Sequence, residues 1–158
     1  MDIDRTDFAI LRLLMKNAWL SNKEIAAAVG LAPSSCHERI KSLRARGILK
    51  SAHAEVNLEA IGFALAAVLF VQLGKLEDHV VDEFLRSTAA VPEVRGVSLV
   101  SGRFDLIVHV AVRDMEHLKE IISKHFNRHA VVTRVETSVV FNHETQHAMP
   151  LSDSDAFA

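Results

Sequence analysis

The chain has 158 residues, 49% of them apolar, with 18 Lys+Arg against 20 Asp+Glu for a net charge of −2. Its length allows one domain or two small ones, and its apolar content supplies a core, so a disordered chain is excluded. The slight negative balance excludes a uniformly basic nucleic-acid binder, yet the charge is unevenly spread. Residues 1–60 carry 9 Lys+Arg against 7 Asp+Glu, while residues 61–158 carry 9 against 13. Within 33–50 stand five cations (Arg39, Lys41, Arg44, Arg46, Lys50) and one acid, Glu38. Phosphate contact is local, so a cationic patch on a mildly acidic protein suffices for DNA. The single cysteine, Cys36, excludes an internal disulfide. No N-terminal apolar segment resembles a signal peptide, and the apolar stretch from Ala60 to Val71 is interrupted by Gly62 and too short for a bilayer. The expected compartment is the cytoplasm, with no membrane partner.

Asp4 predicts the N-cap of a first helix running to about Asn17, with Ile10, Leu11 and Leu14 facing inward. A second helix opens with a capping box, Ser21 and Glu24, places Ile25 and Val29 on one face, and ends at Gly30. Pro33 starts a third helix, in which Cys36, Ile40 and Leu43 form the buried stripe. Cys36 therefore reads as a packed thiol rather than a nucleophile. Away from that stripe lie Ser34, Glu38 and Lys41, flanked by Ser35 and Ser42. Small polar residues at a helix N-terminus with cations further along suit a DNA major groove. A solvated surface helix would share the charges but not the sharp turn, the stripe and the local cations together. The pair reads as a helix-turn-helix. Ser34, Ser35 and Glu38 are the expected base contacts, with His37 and Ser42 at the fringe and Lys41 and Arg44 on phosphates. Arg39 points partly toward the turn and is expected to pair with an acid such as Glu24.

Ala52–Val56 alternates weakly and predicts the strand wing of a winged helix-turn-helix, with Leu58–Gly62 as a hinge. The rhythm then changes. Strands are predicted over Ala64–Leu73, Val94–Val100, Phe104–Val112 and Val131–Phe141, with helices over Glu77–Ala89 and from Asp114 to about Asn127. The order β-α-β-β-α-β is the split βαβ arrangement, with both helices on one face of a four-stranded sheet. Apolar residues on both faces of Leu65–Val71 and Leu106–Val112 imply that the other face is covered, most simply by a second copy. The expected fold class is α+β, a winged helix-turn-helix followed by a ferredoxin-like βαββαβ domain. The expected division is 1–60 for DNA binding, 61–150 for effector binding and oligomerisation, and a tail at 151–158.

The chain resembles the Lrp/AsnC, or feast/famine, family of transcription regulators. The resemblance runs through D-x-x-D-x-x-I-L-x-x-L from Asp4, S-x-x-E-I-A-x-x-V-G-L from Ser21, R-I-K-x-L-x-x-x-G-I-L from Arg39 and H-A-E-V-N-x-x-x-x-G from His53. In the second half it is carried by S-G-R-F-D-L (Ser101–Leu106) and T-S-V-V-F ending at Phe141. It implies a sequence-specific regulator of double-stranded DNA, a dimer paired through its sheets and assembled to a tetramer or octamer on the nucleoid. It also implies a small effector, often an amino acid, near the glycine hairpin. Carried over by position, Gly102, Arg103, Phe104 and Asp105 approach the effector, with Thr137 and Ser138 from the last strand. A glycine hairpin offers N–H groups to a carboxylate, and Asp105 can receive an ammonium. The bare alternative is a tight hairpin with Asp105 capping the turn. Three departures stand out: Ala32 where Ser usually precedes the proline, Trp19-Leu20 where an Ala-Arg or similar pair is usual, and His129-Ala130-Val131-Val132 in place of Leu-Pro-Gly-Val.

Other chemistry competes weakly. His143-Glu144-Thr145-Gln146-His147 spells H-E-x-x-H, but that motif needs a helix to turn both histidines onto one metal, and here it follows a strand with Pro150 close behind. His125 and His129 could grip a metal, or answer the helix dipole; with His117 they could make assembly pH-sensitive. The expectation is no enzyme, no metal and no cofactor. The alternative from another class is an effector-binding assembly protein with a decayed DNA module, favoured by Ala32 and the negative net charge.

Overall fold

The computed structural model describes residues 3–74 and 77–146. The chain divides into two compact units, the first running to Ala54 and the second spanning Glu55–His143. The expected tail at 151–158, His147 and Pro150 lie outside the described residues.

Three helices build the first unit: α1 (Arg5–Lys16), α2 (Asn22–Val29) and α3 (Pro33–Ala45). Capping boxes start the first two. Asp4 accepts from the Asp7 N–H and Asp7 answers the Asp4 N–H, and Ser21 and Glu24 do the same for α2. Each box satisfies helix-start donors that would otherwise lack partners. Gly30, at φ 68°, ends α2 in the left-handed conformation that a side chain would strain. Ile10, Leu11, Ile25, Ala26, Cys36, Ile40 and Leu43 are buried together, with Leu14, Leu20 and Val29 packed around them. The predicted wing strand is not formed. Residues 51–57 are exposed and Ala52–Val56 form no strand. A strand persists only when a neighbour takes up its N–H and C=O groups. The only strands among the described residues are the four of the other unit. Glu59–Ile61 instead make one 3₁₀ turn ended by Gly62 at φ 93°.

The second unit follows the predicted order: β1 (Leu65–Leu73), α4 (Asp78–Ala89), β2 (Val94–Leu99), β3 (Leu106–Val112), α5 (Met115–Ile122) and β4 (Val132–Val140). A π turn, Ser123–Asn127, extends α5. All pairings are antiparallel, in the order β2-β3-β1-β4. Because side chains alternate, Leu69, Val71, Leu106, Val108, Val110 and Val112 share one face and are buried with Phe84, Leu118, Ile121 and Phe126. The opposite face presents Ala66, Val68, Phe70, Ile107, His109 and Ala111 in register. No helix among the described residues is long and apolar enough to cross a membrane.

Candidate nucleic-acid interface and effector site

The buried stripe of α3 dictates what the helix presents outward. Cys36, Ile40 and Leu43 lie in the core, so Ser34, Ser35, His37, Glu38, Lys41, Ser42 and Arg44 are left exposed, as are Arg46 and Lys50 beyond its end. Burial pushes the Cys36 thiol pKa up, which suits packing and not nucleophilic attack. At the N-terminus Ala32 gives no side-chain cap. The start of α3 is secured differently: Asn22 Nδ2, in the first turn of α2, donates to the Pro33 carbonyl at 2.7 Å. The first turns of the two helices are thus clamped side by side.

Arg39 has a partner, but not the expected one. Its Nη1 donates to Asp4 Oδ2 at 2.7 Å and to Asp7 Oδ1 at 2.8 Å. Glu24 is engaged with Ser21 instead, at 2.8 Å from its backbone N–H and 2.6 Å from its hydroxyl. The Asp7 N–H, and next the Arg39 guanidinium, hold the Asp4 carboxyl below its usual range. Those same carboxylates raise the Arg39 pKa, Asp7 foremost. The fork ties α1 to α3 and removes Arg39 from the cations free to meet phosphate.

In the second unit Gly102 sits at φ 134° in an exposed turn between β2 and β3. Asp105 behind it is structural in part: its Oδ2 accepts the Leu73 N–H at 2.7 Å, and its own N–H donates to the Val71 carbonyl at 2.9 Å. The carboxylate borders a cleft of about 500 Å³ lined by Leu73, Gly74, Asp78, Val81, Asp82 and Leu99. Phe104 packs on Phe70 with ring centroids 5.5 Å apart, and the Arg103 guanidinium lies 5.2 Å from the Phe104 ring. Arg103 also pairs with Glu136 at 3.1 Å, and Glu136 with Arg134 at 2.6 Å. Phe70 and Glu136 are cross-strand neighbours on the open face of the sheet. Ser138, opposite Val68, shares that face, whereas Thr137, opposite Leu69, is turned to the other. Arg103, Phe104 and Ser138 are therefore grouped, Asp105 serves the cleft at the end of β1, and Thr137 stands apart.

Two histidines of the competing readings, His117 and His129, are engaged within the second unit. His117 is buried, its Nε2 3.2 Å from Glu93 Oε1 and its Nδ1 accepting the Arg113 N–H at 3.3 Å. The His129 ring lies 4.6 Å from that of Phe84. Residues 143–146 are not helical, so the helix required by the H-E-x-x-H reading is missing over its described part. Among the described residues no group of three or more His, Cys, Asp or Glu could hold a metal ion.

The family model for the Lrp/AsnC ligand binding domain matches residues 66–149, and a model for winged helix-turn-helix DNA-binding matches residues 3–50. The chain belongs to the Lrp/AsnC family. Among its relatives, the HTH-type transcriptional regulator AldR of Mycolicibacterium smegmatis is 32% identical over 142 residues, covering 90% of this chain and 83% of that protein. The leucine-responsive regulatory protein of Haemophilus influenzae is 30% identical, covering 91% and 87%. A Neisseria meningitidis transcriptional regulator solved in complex with L-Met superposes with a TM-score of 0.85 at 28% identity, covering 96% of this chain and 97% of that one. This Lrp/AsnC chain is a DNA-binding transcriptional regulator with a ligand-binding domain, and the relatives named here are transcriptional regulators.

Two features of this Lrp/AsnC protein escaped sequence reasoning: the Asn22–Pro33 clamp and the Asp4–Asp7–Arg39 fork. The clamp leaves no periodic trace. The fork had a signal, two acids three residues apart facing a basic residue on the inner edge of α3, but the partner lies more than 30 residues away in sequence.

Proposed function

We propose that this chain is a sequence-specific, homo-oligomeric regulator of the Lrp/AsnC type whose DNA binding is tuned by an amino acid. The observation that carries the DNA half is the outward face of α3, where small polar residues at the N-terminal end are followed by Lys41 and Arg44, all exposed. Ser34, Ser35 and Glu38 meet base edges, His37 and Ser42 lie at the fringe, and Lys41 and Arg44 meet phosphates. Pairing of two copies through the open sheet face is supported by its apolar register of Val68, Phe70 and Ile107, and places two recognition helices on one duplex. Higher assembly is to a tetramer or octamer, on the nucleoid.

The effector half is supported by the Gly102–Asp105 turn. Exposed N–H groups at the turn suit a carboxylate, and the Asp105 carboxylate suits an ammonium. The Neisseria relative was solved with L-Met, which is consistent with an amino acid here. Ser138 shares the face of Arg103 and Phe104; Thr137 joins the site only if the ligand bridges the edge of the sheet. A thermal-shift screen against the twenty amino acids tests the effector, since a ligand bound only by native protein raises the melting temperature. A gel shift with DNA from upstream of the protein's own gene tests the operator. One amino acid should raise the melting temperature and alter the shifted band. No response to any of the twenty refutes the amino-acid effector; no shifted band refutes the regulator.

A further inference from the structure

Two large apolar side chains of the first unit are exposed among the described residues, Met15 at 42% and, far more so, a tryptophan. Trp19, the only tryptophan of the chain, is 84% exposed. It occupies the turn between α1 and α2, where its N–H donates to Asn17 Oδ1 at 3.0 Å. The next residue, Leu20, packs into the core, so the chain holds Trp19 outward. Three residues on is Asn22, which clamps the start of α2 to the start of α3, so Trp19 lies within about 10 Å of chain from that clamp. Exposed Lys16 and Lys23 stand on either side of it in sequence. An indole with its N–H free to donate, flanked in sequence by cations and three residues from the clamp on the recognition helix, is suited to a surface that is both anionic and partly apolar.

We propose that Trp19 is a DNA-backbone contact: its ring packs on a deoxyribose and its Nε1–H donates to a phosphate beside the groove that α3 enters, with Lys16 and Lys23 on neighbouring phosphates. In helix-turn-helix docking the helix before the recognition helix crosses the backbone, and the clamp brings the start of α2 to that position when α3 lies in the groove. Trp pairs an apolar body with a polar tip, and phosphate contacts set register without reading sequence. The inference rests on the docking of α3 proposed above.

The single tryptophan makes this directly measurable. The full chain is titrated with an unlabelled duplex from upstream of its own gene while indole emission and acrylamide quenching are followed; the same duplex carrying fluorescein reports binding by anisotropy. Emission should shift to the blue and acrylamide quenching should fall as the anisotropy rises. Trp19→Ala should weaken affinity about 5- to 10-fold with an unchanged melting temperature and salt slope, since no charge is lost, and Trp19→Phe should recover part of the loss. Lys23→Ala should reduce the salt slope by about 1. Binding by anisotropy with unaltered emission, and a Trp19→Ala variant of full affinity, overturns the contact but leaves the docking of α3 standing. Emission that shifts on concentrating the protein without DNA assigns Trp19 to a protein contact and overturns it too. No anisotropy change at all overturns the DNA reading and the contact with it.

Discussion

Removing the Arg39 guanidinium should loosen the whole helix-turn-helix, because its ion pairs with Asp4 and Asp7 tie the start of α1 to α3. The Arg39 side chain is 29% exposed, Asp7 only 7% and Asp4 43%. Breaking a fully buried ion pair by deleting one partner costs about 3–5 kcal/mol, whereas an exposed pair contributes at most about 1 kcal/mol. Asp7 resembles the first case and Asp4 the second, and Asp7 keeps only a long contact of 3.4 Å from the Asp4 N–H. Arg39→Met, which retains most of the aliphatic stem, should therefore cost about 2–3 kcal/mol. Cys36 reports the loss locally, being the only cysteine, fully buried in this unit and held protonated by its burial. Its labelling by a thiol reagent under native conditions requires opening of the unit, so the rate should rise about 30- to 160-fold in the variant. The salt slope of DNA binding should stay the same, because Arg39 is engaged within the protein. A labelling rate within about twofold of the wild type would show that the fork contributes nothing and that α1 is held by its apolar face alone.

Other expectations follow from the same geometry. Lys41→Ala should weaken binding to all duplexes by a similar factor and lower the salt slope by about 1, while Glu38→Gln should change which sequence a selection from random duplexes recovers. Asp105→Asn should abolish the melting-temperature response to the effector and leave the sedimentation of the apo-oligomer unchanged, since the amide oxygen can still accept the Leu73 N–H. Acid should destabilise the first unit. Asp4 and Glu24 are held below their ordinary values of 3.8 and 4.5, Asp4 by the Asp7 N–H and then Arg39, Glu24 by the Ser21 hydroxyl and N–H. A depressed carboxylate stabilises the fold fully above its unfolded pKa and loses that contribution as pH falls through its folded one. Melting followed by circular dichroism should therefore weaken below about pH 4.5, less so in Glu24→Gln, which is already neutral there.

What was legible in the sequence was local. The Ser21–Glu24 box, Gly30, Pro33 and the Cys36–Ile40–Leu43 stripe act within a few residues, and each signals its own geometry. The sheet strands were readable because their cores are long apolar runs, and their order followed from the alternation of helices and strands. The wing failed because a strand is made by its partner, and Ala52–Val56 carries no information on whether one is present. The Arg39 fork and the Asn22–Pro33 clamp are contacts across 11 to 35 residues, beyond any periodic pattern. Asp105 shows both sides. Its place at the turn was apparent, while its bond to the Leu73 N–H depends on the β1–β3 register. The separation of Thr137 from Ser138 was available in principle, because neighbours in a strand face opposite ways.

The most direct test of the account is the affinity of the purified protein for its upstream DNA as salt is varied. With two recognition helices each neutralising three or four phosphates, log affinity should fall against log salt with a slope of about −5 to −7. A flat response would contradict the placement of α3 in the groove and, with it, the pairing proposed to hold two such helices on one duplex.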